Sequence, residues 1–175
     1  RMPSAPQGVV VLAGRDPSSG PLADALHEAH FATLQLGDLS ESVIDLTERV
    51  LAAADWIGTR PELRGLPLGV FGSRAGGGAA LSAAARRPRM FRAIVSRDGR
   101  SIAGGSAFDN VSAATLLIVD GQDDSTIAFS REAMTRVMGI AELELVSAGA
   151  LDDEERGTAT HVANVARRWF ARFLA

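Results

Sequence analysis

Six short runs rich in valine, leucine and isoleucine recur along the chain, at residues 8–13, 31–36, 68–72, 93–96, 115–120 and 142–146. Continuous apolar runs of this length match strands covered on both faces, because a strand with one wet face alternates instead. The longer segments between them carry apolar residues at helical spacing. Residues 42–57 bring Val43, Leu46, Val50, Ala54 and Ile57 to one face, and residues 159–174 do the same with Val162, Val165, Ala166, Trp169, Phe170 and Phe173. Further helices are predicted over 21–30, 75–86 and 125–138. Strands alternating with helices give a parallel sheet with right-handed crossovers. The expected fold is α/β: a doubly wound, mostly parallel six-stranded sheet with helices on both faces and no cap domain.

A chain of 175 residues suits one core, and residues 8–175 read as a single domain without repeat or linker. Arg1 precedes Met2, which reads as a tag remnant or a cut from a longer chain. Residues 1–7 are accordingly expected to be disordered or tag-derived. The net charge of −3 gives no electrostatic reason for a nucleic-acid partner. No apolar run approaches the roughly 20 residues of a membrane span, and the first apolar run is too short for a secretory signal. The sequence has no cysteine, which removes disulfides and thiolate metal sites and suits the cytoplasm. Neither a cofactor nor a metal is expected.

The segment Leu68-Gly69-Val70-Phe71-Gly72-Ser73-Arg74-Ala75-Gly76-Gly77-Gly78 reads as a strand, a sharp glycine-flanked turn and a helix start. A nucleophile elbow has this layout: small residues flank a G-x-S-x-G apex, and the helix amino terminus supplies an oxyanion-hole amide. Here the apex residue is Arg74. Ser73 becomes the nucleophile only in a shifted frame, where Phe71 would crowd a place that needs almost no side chain. The glycine run fits no dinucleotide fingerprint, and a chain whose 18 basic residues are all arginine lacks the lysine of a P-loop.

The elbow follows Val9-Val10-Val11-Leu12-Ala13, Phe31-Ala32-Thr33-Leu34 and Ala54-Asp55-Trp56-Ile57. It precedes Arg92-Ala93-Ile94-Val95-Ser96-Arg97, Thr115-Leu116-Leu117-Ile118-Val119 and Trp169-Phe170. Over essentially the whole chain this order resembles small proteins of the dienelactone hydrolase family, in the α/β-hydrolase superfamily. The resemblance implies a triad of serine, aspartate after the fifth of the strands, and histidine after the sixth. Asp123 stands at the acid position, but Arg74 replaces the serine and Leu151 stands where the histidine would be. The His-Gly expected after the first strand is also missing, the stretch reading Leu12-Ala13-Gly14-Arg15. His161 is the one displaced base to consider, and it would need residues 152–160 to fold as a loop over the elbow.

Three departures together imply a pseudoenzyme: a catalytically degenerate hydrolase-type domain with a binding, scaffolding or regulatory role, its partner a small anion or a protein. Arg74 could plug the old site by pairing with Asp123. Alternatively it could form an anion pocket with Ala75, Gly76 and Arg15 over the free N–H groups of the next helix. The competing reading is an active hydrolase of small esters or lactones that uses Ser73 or a rearranged site. The resemblance also implies that such domains can be joined to phosphoribosyltransferase-like domains in longer chains. The glycine- and serine-rich stretch 97–114 reads as a surface loop with a short helix. The basic cluster Arg86, Arg87, Arg89 and Arg92 reads as a solvated face, and the acidic run 152–155 as a solvated loop.

Overall fold

The computed structural model describes residues 3–14, 16–37, 42–99, 105–146 and 152–175, with the backbone alone at 105–107 and 152–156. Six strands form one sheet: β1 (Gly8–Ala13), β2 (Phe31–Gln35), β3 (Leu68–Ser73), β4 (Ala93–Arg97), β5 (Ala114–Asp120) and β6 (Ala141–Val146). Their order is β2-β1-β3-β4-β5-β6, and every neighbouring pair is parallel. The helices are α1 (Ser19–Glu28), α2 (Val43–Thr59), α3 (Ala75–Arg86), α4 (Asp124–Arg136) and α5 (Asp152–Leu174), with a 3₁₀ turn at Gly105–Asn110. This is the doubly wound α/β architecture expected from the sequence.

Period-two alternation sorts the strand side chains onto two cores. Val9, Val11 and Ala13 of β1 join α2, α3 and α4 on one face, while Val10 and Leu12 join α1 and α5 on the other. The inner face of α5 is largely as expected: Val162, Ala166 and Phe170 are fully buried, and Trp169 donates its indole N–H to the Ala114 carbonyl at 3.1 Å. That bond leaves no polar atom stranded where the ring packs.

Two helices start earlier than the apolar pattern predicts. Helix α1 starts at Ser19, so Pro21 falls in its first turn, where a missing N–H is tolerated. It ends before His30, which takes φ +59°. Helix α5 begins at Asp152, not at residue 159. Residues 152–155, read as a loop, are therefore helical. Ahead of β1, the Gln7 N–H donates to the His30 carbonyl at 2.8 Å.

Candidate functional site

The chain turns to one side after β1 and to the other after β3. Crevices at the carboxyl edge of such a switch point are where ligands bind in open parallel sheets. Strand β3 runs into α3 there through a single residue. Arg74 takes φ +49° and ψ −116°, a region that costs a non-glycine residue about 1–3 kcal/mol.

Its neighbours show why the turn can be so sharp. A Cβ on Gly72 would lie 2.2 Å from the Gly76 carbonyl oxygen, and one on Gly76 would lie 2.1 Å from that of Ala13. Only glycine lets the first turn of α3 approach both β3 and the end of β1. Arg74 N–H closes the sheet edge by donating to the Arg97 carbonyl at 2.8 Å, and its own carbonyl accepts from Gly78 N–H at 3.0 Å.

The local chemistry is therefore that of an elbow with a cation at its tip. The Arg74 side chain is exposed, and Ala75 and Gly76 form the first turn of α3 beneath it. Amides in a first helical turn have no acceptor within the helix. Ser73 is the last rung of β3, paired in register with Arg97 and 8% exposed. The apex thus falls on Arg74, and Ser73 is a buried strand residue one position before it.

Asp123 is the N-cap of α4. Its Oδ1 accepts from the Thr126 N–H at 2.9 Å and the Ser125 hydroxyl at 2.7 Å, and its Oδ2 accepts from the Thr126 hydroxyl at 2.6 Å. Among the described residues no ion pair joins Arg74 to Asp123, so an internal plug of that kind is corrected: the arginine faces solvent and the carboxylate holds a helix.

His161 lies on α5 and contacts Glu144 Oε1 of the edge strand β6 at 3.1 Å. Three strand spacings, roughly 14 Å, separate β6 from β3. Because 152–160 is helical, no loop there carries His161 over the elbow. Arg15 and Leu151 lie outside the described residues.

A second set of charges beside the elbow was not anticipated. One terminal nitrogen of Arg97 contacts both carboxylate oxygens of Asp16, at 3.1 and 3.3 Å, and both side chains are largely buried. Asp16 also accepts from the backbone N–H and hydroxyl of Ser18 at the start of α1. Arg97 Nε lies 3.7 Å from Asp98 Oδ2.

Asp98 is held at φ +47° and accepts from the Asp120 N–H at 3.1 Å. Burial pushes its carboxyl above the usual carboxylate range. The Asp120 hydrogen bond and the charges of Arg97 and Arg74 pull the other way without overcoming it. The only sequence signal for this cluster was position, since Asp16, Arg97 and Asp98 all lie at or just after strand ends.

The apex therefore offers a permanent cation with no lone pair to attack a carbonyl. Arg74 and the first-turn amides of α3 can hold an anion. Among the described residues no group of three or more histidine, aspartate or glutamate side chains could hold a metal. No described helix is long and apolar enough to cross a membrane.

Sheet order, switch point and elbow together define an α/β-hydrolase domain. A dienelactone hydrolase from Anabaena variabilis is similar over 99% of this chain and 90% of its own, with 34% identity and a TM-score of 0.84. The chain belongs to the dienelactone hydrolase family. Est1E from Butyrivibrio proteoclasticus, solved with ferulic acid, shares the fold at 13% identity and a TM-score of 0.73, over 98% of this chain and 94% of its own. Two Mycobacterium tuberculosis proteins, each named "putative phosphoribosyl transferase", are 36% identical over 99% of this chain. The chain spans 43% of the length of those relatives. No family model matches the chain.

Proposed function

We propose that this domain is a catalytically degenerate dienelactone hydrolase-like domain, a pseudoenzyme that binds and regulates where its relatives cleave. One observation carries the reading: the residue at the strained apex of the elbow is Arg74. Acyl transfer through a serine needs an activated hydroxyl there, and the adjacent hydroxyl, Ser73, is buried in β3.

The test is labelling with a fluorophosphonate probe followed by peptide mapping, with an active family member reacted in parallel. No labelled residue is expected. Stable labelling at Ser73 would show that the elbow shifts its frame, and the degenerate reading would be withdrawn.

The retained strain at Arg74 favours a second role for the same residue as an anion receptor. An exposed side chain at φ +49°, next to first-turn amides that have no acceptor within their helix, suits a carboxylate or phosphate group. Inorganic phosphate should then raise the melting temperature, and Arg74→Ala should abolish the shift. No shift in the parent protein would remove this role.

The name of the mycobacterial relatives suggests the setting, a chain that also carries a phosphoribosyl transferase. On this reading that activity lies in the length these 175 residues do not span. Consumption of phosphoribosyl pyrophosphate by the isolated domain would refute it.

A further inference from the structure

At the opposite, amino-terminal edge of the sheet, an open groove of about 780 Å³ runs below β4, β5 and β6. Its lining includes Phe91, Phe173, Met138 and Ile140, with Arg89 and Arg92 also along it. Met138 is 68% exposed and Ile140 51%. These are long apolar side chains left in water on either side of Gly139, along the same groove. The segment is fixed in place: Met138 N–H and Gly139 N–H both donate to the Val111 carbonyl. A Cβ on Gly139 would sit 2.5 Å from the Ser112 carbonyl oxygen.

The charges around the groove are distributed unevenly. Arg86 pairs with Glu48, Arg87 with Asp55, and Arg136 with Asp109. Arg172, whose guanidinium lies 4.8 Å from the Phe173 ring centre, is neutralised by Glu142 at 2.9 Å. Arg89 and Arg92 are exposed and, among the described residues, in no ion pair. The groove thus combines an apolar floor with two uncompensated guanidinium groups. It is also too open to enclose a small molecule, as pockets for such ligands do.

We infer that this groove is a docking site for a protein partner, which seats an acidic segment carrying apolar anchor residues. The anchors would cover Met138, Ile140 and Phe173, and the carboxylates would meet Arg89 and Arg92, in the arrangement that gives interfaces an apolar centre and a charged rim. The strands place the groove about 20 Å from the elbow, so a partner can dock while the Arg74 site stays open. The inference rests on this edge alone and stands whether or not the elbow is catalytic.

A phage-displayed library of random 16-residue peptides, selected on the immobilised domain, tests it. The expected outcome is enrichment of sequences that combine aspartate or glutamate with leucine, phenylalanine or tryptophan. Binding of the selected peptides should fall about tenfold or more in the Arg89→Glu/Arg92→Glu double variant and in Met138→Asp, and should weaken with salt. All three side chains are exposed, so the variants should keep the circular dichroism spectrum and melting temperature of the parent. An empty selection, peptides without acidic residues, or binding that survives the variants would overturn the proposal. Sedimentation velocity supplies a last check: self-association that Met138→Asp abolishes would make the occupant a second copy and overturn it too.

Discussion

Replacing Arg74 separates backbone strain from side-chain chemistry, because glycine and alanine both remove the guanidinium and only glycine accepts φ +49° with ψ −116°. The strained conformation costs a residue with a Cβ about 1–3 kcal/mol. Glycine gives back roughly 0.5–1 kcal/mol through the greater freedom of its unfolded chain. The difference leaves Arg74→Gly more stable than Arg74→Ala by on the order of 1 kcal/mol. Lost packing contributes little to either variant, since the side chain is exposed. Loss of the favourable charge that Arg74 presents to Asp98 is common to both and cancels. Urea unfolding followed by tryptophan fluorescence measures the difference, which corresponds to roughly 2–4 °C in melting temperature for a chain of this size. Arg74→Gly no more stable than Arg74→Ala would show that the apex relaxes once the side chain is gone. The elbow would then not be a strained backbone imposed by its surroundings.

Gly76→Ala should lose at least about 1–3 kcal/mol, because the new methyl meets the Ala13 backbone at 2.1 Å and neither element can yield easily; a urea midpoint within error of the parent would contradict it. Asp16→Ala leaves Arg97 largely buried without its carboxylate, and roughly 2–4 kcal/mol should disappear, with a positive coupling in the double-mutant cycle with Arg97→Ala. Asp123→Ala removes the cap of α4 and should cost about 1–2 kcal/mol in the same assay. Burial raises the Asp98 carboxyl above its unfolded value, so the folded state holds the proton more tightly than the unfolded one. The stability this contributes is present below the unfolded pKa of about 3.9 and is lost as pH rises through the folded value. Asp98→Asn keeps an acceptor for the Asp120 N–H and tolerates positive φ. It should therefore gain stability relative to the parent between pH 3 and pH 7, and a constant difference across that range would refute the assignment.

The sheet was legible in the sequence because parallel strands are covered on both faces, and burial on both faces writes itself as a local run of valine, leucine and isoleucine. The bounds of α3 and the glycine-flanked elbow followed from equally local rules, since Gly72 and Gly76 are demanded by atoms within a few residues of the apex or on the neighbouring strand. The substitution of arginine at the apex was likewise visible from the motif alone. The two shifted helix starts, at Ser19 and Asp152, were less legible because the first turn of each lies ahead of the apolar period that marks the rest of the helix.

What the charges do was decided by the tertiary structure. Asp123 turned to α4 and Arg74 to solvent, whereas Asp16 and Arg97, 81 positions apart, met across the strand between them. Likewise, Arg89 and Arg92 share a groove with Met138, Ile140 and Phe173 because three strands start, and the last helix ends, at one edge of the sheet. Hydrophobic periodicity records only whether a residue is inside or outside. A charged side chain is free to choose among partners on several elements, and that choice depends on distances that exist only once the strands are laid side by side.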